Sequence, residues 1–297
     1  MKALCVLGAC ALLLAPTPIA AGMIVGIPDS GQYGSPTSLY SVDPQTGSTT
    51  PFGSLFSGYI AESVSALNNT IFVSSPVNLY SLNVVTGQYV GYQCLSDLAC
   101  FSEAYAPFEF AYDSSDQTVY SVADAHNTST LVLEHMVDLG PSGLGPPGSQ
   151  SISWVENGPL GVSGIRVIEF IPGLGLYGTD GTSAGYLINE TTGQATLLSP
   201  LSGVSMPITG LAYDFDTGQL LASAGVYSNP PSMIYNGSGM IYQLDPITGH
   251  ATLLNTDSAD LVGIAFVSTP EPRPAWVVFA GLVLGIALRH RLCTRFE

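Results

Sequence analysis

Between residues 23 and 267 short apolar-polar alternations recur, each broken by Gly, Pro, Asn or Asp. This period-two pattern with frequent turn signals predicts strands and hairpins rather than helices. One unit repeats: Tyr, any residue, an aliphatic, Asp or Asn, then Thr-Gly a few residues on. It reads Tyr40-Ser41-Val42-Asp43-Pro44-Gln45-Thr46-Gly47, then Tyr80-Ser81-Leu82-Asn83-Val84-Val85-Thr86-Gly87. It returns with one extra residue as Tyr186-Leu187-Ile188-Asn189-Glu190-Thr191-Thr192-Gly193, and again as Tyr242-Gln243-Leu244-Asp245-Pro246-Ile247-Thr248-Gly249. Tyr and the aliphatic, two apart, share one face of a strand. The Asp or Asn caps the turn, Pro presets the next φ, and Gly takes the left-handed position. A second strand follows, as at Ala195 to Leu198 and Ala251 to Leu254, so the unit is a β-hairpin.

A second hairpin precedes several of these. Phe110-Ala111-Tyr112-Asp113 leads into Thr118 to Ser121, and Leu211-Ala212-Tyr213-Asp214 into Gln219 to Ala222. Val64 to Leu67 with Thr70 to Val73, and Ile165 to Phe170 with Leu174 to Gly178, have the same shape. Two hairpins in series make a four-stranded meander, the blade of a β-propeller. The first hairpin has one strand before it, Met23 to Ile27, and no inner strand; Leu261 to Val267 is an inner-type strand with no blade after it. Pairing the two closes a ring of five blades: 23–57 with 261–267, 60–92, 108–140, 152–200 and 208–256. At ~49 residues per blade this lies in the range of propeller repeats. The third blade is irregular: its outer strands, Thr130 to Val137, lack the Thr-Gly turn and run into the loop Gly140 to Gly148. The expected fold is therefore all-β, a five-bladed propeller closed by the N- and C-terminal strands, with a β-sandwich as the alternative. The body resembles secreted propeller proteins that carry Tyr-x-Ile-Asp-Pro-x-Thr-Gly repeats.

The two ends break the pattern. Residues 1–22 have the three parts of a secretory signal: Lys2, an apolar run from Ala3 to Ala15 broken by Pro16 and Pro18, and the small residues Ala20, Ala21 and Gly22 for signal peptidase. The extracytoplasmic domain is then 23–268. At the other end, 269–297, Pro270-Glu271-Pro272 precedes Arg273-Pro274, an apolar run from Ala275 to Leu288, and a basic tail with Arg289, Arg291 and Arg295. The run at 275–288 is shorter than the ~20 residues that span a bilayer comfortably, but Trp276 and the arginines extend it as interfacial anchors. It is expected to be a transmembrane helix with the arginines as the cytoplasmic stop-transfer signal and the body outside.

Composition and charge narrow the partners. Only 9% of the 297 residues are charged. Of 22 acidic residues, 20 lie between Met23 and Thr269, with Arg166 the only Lys or Arg there, so the body carries about −19. Such a surface repels phosphate backbones, which argues against nucleic acid. Solubility outside the cell accounts for it, with divalent-cation or basic-partner binding as the other reading. Of five cysteines, Cys94 and Cys100 alone belong to the body. Their spacing suits a local disulfide in an oxidising compartment, with two free thiols as the alternative and metal ligation a distant third, since no His or second Cys pair lies nearby in sequence.

No catalytic constellation stands out. His126, His135 and His250 lack ligand spacing, and Gly161-Val162-Ser163-Gly164 is one residue too tight for a nucleophile elbow. Asp113 with Asp116, and Asp214 with Asp216, would serve as turn caps or, less simply, in a calcium loop; calcium is the one cofactor kept in view. Asn68, Asn127, Asn189 and Asn236 stand in Asn-x-Ser/Thr sequons and suit turns equally.

The ordered set of Pro270-Glu271-Pro272, apolar run and arginines resembles the PEP-CTERM sorting domain of Gram-negative bacteria that make extracellular polysaccharide. The resemblance covers roughly a tenth of the chain. It implies that Pro270, Glu271 and Pro272 are read by an exosortase, that the chain is its substrate, and that the membrane stay is followed by release or attachment at the surface. It also implies an exopolysaccharide or biofilm setting. The expectation is an exported surface or matrix protein, not an enzyme, whose body binds or builds. The alternative is a secreted propeller glycosidase or lyase with carboxylates converging from different blades.

Overall fold

The computed structural model describes residues 22–28, 36–57, 63–67, 70–74, 79–83, 89–94, 110–124, 130–141, 150–165, 167–225 and 239–267. The expected signal segment up to Ala21 and the expected sorting segment, with Pro270, Glu271, Pro272, Arg289, Arg291 and Arg295, lie outside them, as do Cys100, His126 and Arg166. The expected transmembrane helix at 275–288 lies outside them too. Among the described residues no helix is long and apolar enough to cross a membrane.

The described body is all-β, in a β-propeller arrangement of four-stranded antiparallel meanders. In the first, β20 (Leu261–Val267) is the inner strand, followed outward by β1 (Met23–Pro28), β2 (Pro36–Val42) and β3 (Thr49–Ser57). β20 and β1 run antiparallel from Met23↔Val267 to Pro28↔Leu261, so the two ends of the body are joined by strand pairing, as the half-blades in the sequence require. β12 (Val167–Ile171), β13 (Gly175–Thr179), β14 (Ala184–Ile188) and β15 (Ala195–Pro200) form a second complete sheet. β16 (Ile208–Asp214), β17 (Gln219–Ala224), β18 (Gly239–Leu244) and β19 (Ala251–Ser258) form a third.

The remaining sheet has eight strands. It joins β4 (Ser63–Leu67), β5 (Thr70–Ser74), β6 (Leu79–Asn83) and β7 (Tyr89–Cys94) to β8 (Phe110–Asp113), β9 (Thr118–Asp124), β10 (Leu131–Pro141) and β11 (Gln150–Pro159). The link is a short parallel pairing of outer strands, Gln150↔Tyr92, Ser151↔Gln93 and Ile152↔Cys94. Two corrections to the sequence expectation follow. Residues 150–159 are the outer strand of the meander that starts at Phe110, not the opening of the next, and 140–148 falls within the β10–β11 hairpin rather than after a finished blade. Local pattern missed this because a strand's membership is settled by which edge it pairs with, here the preceding β10 rather than the following β12, and no Thr-Gly turn marks that hairpin.

Burial follows position from the inside outward. β16 and β20 are buried almost throughout, while β15 is largely exposed. The inner strand LVGIAFV is accordingly apolar and small, and the outer ATLLSP carries its polar groups into water. Alternate residues of one strand enter different cores. Ile24 and Ile264 pack with Ala212, Leu221 and Ile241 of the β16–β19 sheet, whereas Val25 and Ala265 pack with Val64, Ile71 and Val73 on the other side. Val167 and Tyr177 meet Leu211 and Leu220; Ile168 and Leu176 meet Val122 and Leu133. The core between β4–β7 and β8–β11 is smaller and aromatic: Phe72, Phe110, Val119 and Trp154.

The repeated turns have a second task besides reversing the chain. Asp43, Asn189 and Asp245 each accept two backbone N–H groups of their own turn through Oδ1. Gly47, Gly193 and Gly249 all have φ near +70°. Each turn also lies on the meander before it. Ser258 Oγ donates to the Gly47 carbonyl at 2.9 Å and Ala259 N–H to Thr49 Oγ1 at 3.0 Å. Ser202 N–H donates to the Gly249 carbonyl and Ala251 N–H to the Ser202 carbonyl. Asn157 Nδ2 donates to the Glu190 carbonyl at 2.5 Å, and Ala195 N–H to the Leu160 carbonyl at 2.9 Å. A Cβ on Gly193 or Gly249 would stand 2.1 Å from the carbonyl oxygen of Gly158 or Pro200. Glycine is therefore required twice over, for its φ and for backbone approach across the joint.

Candidate functional site

The inner strands hold one carboxylate in mid-strand among the described residues, Glu169 on β12. β12 and β16 are neighbours but share no ladder, so inner-edge N–H groups need other acceptors. The Glu169 carboxyl accepts from the N–H groups of Tyr213 on β16 and Phe170 on its own strand. Burial pushes it well above the usual carboxyl range, and the two hydrogen bonds offset only part of that.

A second acidic position lies on the β10–β11 hairpin, where Glu134 and Glu156 are direct cross-strand partners. Cβ atoms of such partners lie about 5 Å apart on one face. Burial, then the neighbouring Glu156 charge, raises the Glu134 carboxyl to about 7. Glu156 is exposed. On the opposite face His135 Nδ1 lies 2.7 Å from Asn157 Oδ1, and Asn157 continues the chain of bonds to Glu190. Tyr120, paired with His135 in register, is pushed up to about 12 by burial and then by Asp116, Glu190 and Asp113. Near neutrality the raised Glu134 carboxyl retains part of its proton beside the second carboxyl. They offer a donor and acceptors to a hydroxyl-rich ligand, and the pair has the form of an acid and a base.

Next to this pair, on the same face of β11, Trp154 is buried and stacks on Phe110 with ring centroids 5.5 Å apart at 15°. Its Nε1–H has no hydrogen-bond partner. A faint local sign of this site is Glu134, a lone acid within the largely apolar run Leu131 to Val137. Its pairing with Glu156 depends on the hairpin register and is not visible locally.

The other singled-out residues are placed as follows. Asp113 Oδ1 accepts from Ser115 N–H and Asp116 Oδ1 from Thr118 N–H. Asp214 accepts from the N–H groups of Asp216 and Thr217 and from Thr217 Oγ1. These carboxylates act as turn caps, and the described residues include no group of three or more metal-ligating side chains. Asn189 caps its turn, and His250 Nδ1 lies 3.4 Å from Ser202 Oγ at a joint. Cys94 ends β7; its expected partner Cys100 is outside the described residues.

No protein-family model matches the chain, and no curated protein sequence matches it. Solved structures do align with it. A calcium-binding protein, regucalcin, from Agrobacterium tumefaciens is 14% identical over 86% of this chain and 80% of its own, with a TM-score of 0.43. A periplasmic gluconolactonase from Pseudomonas aeruginosa is 10% identical over 84% of this chain and 99% of its own, with a TM-score of 0.44. A PQQ-bound aldose sugar dehydrogenase from Streptomyces coelicolor is 14% identical over 68% and 79%, with a TM-score of 0.38. The expectation that the body is not an enzyme is corrected by this finding, since two of these structures are enzymes by name.

Proposed function

We propose that the chain is an exported, exosortase-sorted cell-surface or exopolysaccharide-matrix protein that displays a five-bladed propeller. The observation that carries this reading is the order of elements after β20: Pro270-Glu271-Pro272, an apolar run, and Arg289, Arg291 and Arg295, with a signal-like segment before β1. The five-blade count is supported by the inner strands, which neighbour one another around a ring in the order β4, β8, β12, β16, β20 and back to β4. It treats the eight-stranded sheet as two blades joined at their outer edge. Signal peptidase and exosortase are the processing partners, and the membrane anchor is a stage on the route outward. The ligand class is a hydroxyl-rich polysaccharide, which suits a body of about −19 in which Glu134, its carboxyl raised to about 7, stands beside Glu156.

Replacing Glu271 with Ala in the full chain and fractionating the cells tests the sorting. Export should continue while the protein accumulates in the inner membrane. Unchanged delivery to the surface or medium would overturn the exosortase reading. Retention of the exported protein on glycan arrays, with and without calcium, tests the ligand class and whether a cation takes part.

A further inference from the structure

The first residue of the propeller body is held in a manner that suits a chain terminus. The backbone N–H of Gly22 donates to Asp216 Oδ2, in the turn between β16 and β17. Gly22 also lies under the ring of Phe266, where a Cβ would stand 1.8 Å from Cζ, so no side chain fits. That ring is fixed from behind, since Phe266 packs on Phe215 at 5.4 Å and Phe215 meets Tyr213 edge-on at 5.1 Å. Among the described residues Asp216 has no Lys or Arg to pair with, since they include neither. In the whole span from Gly22 to Thr269, Arg166 is the only Lys or Arg.

We propose that signal peptidase hydrolyses the Ala21–Gly22 bond and that the new terminal ammonium of Gly22 is latched by the Asp216 carboxylate. This rests on the export reading and moves the mature start to one residue before Met23. Hydrolysis consumes one water, leaving a carboxylate on Ala21 and an ammonium on Gly22. Ala21 before the cut is small, as the peptidase requires, with Ile19 at the third position back; the cut before Met23 would have Gly22 and Ala20 at those places, and it is the contact of Gly22 with Asp216 that favours the first. Before cleavage the Gly22 nitrogen has one N–H to offer; afterwards it has three and a positive charge, and the hydrogen bond to Asp216 becomes charge-assisted. The latch ties the closing strand β1 to the turn after β16, in the neighbouring meander, so correct processing and closure of the ring support each other.

The test uses the full chain expressed in an exporting host. The mass of the N-terminal peptide of the protein recovered outside the cell should identify Gly22 as the first residue. A start at Met23 or at any other residue overturns the latch and leaves export standing; a chain that keeps Met1 and never leaves the cell overturns the export reading itself. A second measurement follows from the missing lysines, since acetylation of the mature protein removes only the terminal amine's charge. Acetylation should lower the thermal midpoint by about 2 °C in the wild type and leave an Asp216→Asn protein unchanged. An equal shift in both, or none in either, overturns the inference.

Discussion

The joint between the β12–β15 and β16–β19 sheets and the joint between β4–β7 and β8–β11 solve one problem differently. In the first, a tight Asp-x-x-Thr-Gly turn lies on the end of the preceding outer strand, and Gly249 lets backbone meet backbone. The core beneath is broad, from Val167 and Tyr177 to Leu244 and Ala251. In the second the turn motif is missing; a longer hairpin lends its outer strand β11 directly to the edge of β7. Its core is small and aromatic and contains an acid pair at its border. In both, the third-to-fourth-strand hairpin of one meander fastens it to the meander before. The fastening can be a turn or a strand edge, provided the buried backbone groups find partners. The strand-edge joint has fewer aliphatic side chains in its core.

The largest expected effect comes from emptying the aromatic joint. Trp154→Ala should cost about 3–5 kcal/mol in equilibrium unfolding, because it removes the ring stacked on Phe110 and leaves a cavity that the extended hairpin cannot close. A loss below about 1 kcal/mol would mean that this core does not hold the two meanders together.

Next is the acid pair. With the Glu134 carboxyl raised from 4.5 to about 7, its contribution to stability is complete below about pH 4.5 and lost as pH rises through about 7. Glu134→Gln removes that dependence, so the variant should be more stable than wild type at pH 8, by about 3 kcal/mol. At pH 4.5 the two should be alike. Urea titrations at the two pH values read the difference, and a gain that is the same at both would refute the burial of this carboxyl.

Smaller, but sharper in contrast, is a pair of glycine substitutions. Gly249→Ala places a methyl group 2.1 Å from the Pro200 carbonyl oxygen, at a φ of +71°. Gly161→Ala has a similar φ, +73°, with nothing within 4 Å of the new methyl. Both bear the left-handed cost, so their difference isolates the joint and should be about 2 kcal/mol. Equal midpoints in thermal unfolding would show that the turn only reverses the chain.

Much of the architecture could be read before any coordinates, for physical reasons that are local. A capping Asp, a Pro and a left-handed Gly act within five residues, so the turns at 43–48 and 245–250 announce themselves. The unpaired half-blades at Met23 and Leu261 announced their pairing because an inner strand without a neighbour is an incomplete sheet. What the pattern could not convey depends on distant partners. The assignment of 150–159 to the third meander needs the long pairing with β10, its link to the second meander needs the edge of β7, and the Glu134–Glu156 pair needs the hairpin register. Glu169 reads as an ordinary strand residue until β16 is placed beside it and its carboxyl meets the Tyr213 N–H. The glycines of the repeat could be read as turn residues, but not as contacts between sheets.

Native-state hydrogen exchange followed by mass spectrometry tests most directly whether each meander is fastened to the one before it. Peptides from 150–159 should exchange together with those from 89–94 and 131–141, and Trp154→Ala should speed all three while 167–200 keeps its protection. Exchange of 150–159 in step with 167–200, and independent of 89–94, would contradict the assignment of β11 and with it the strand-edge joint.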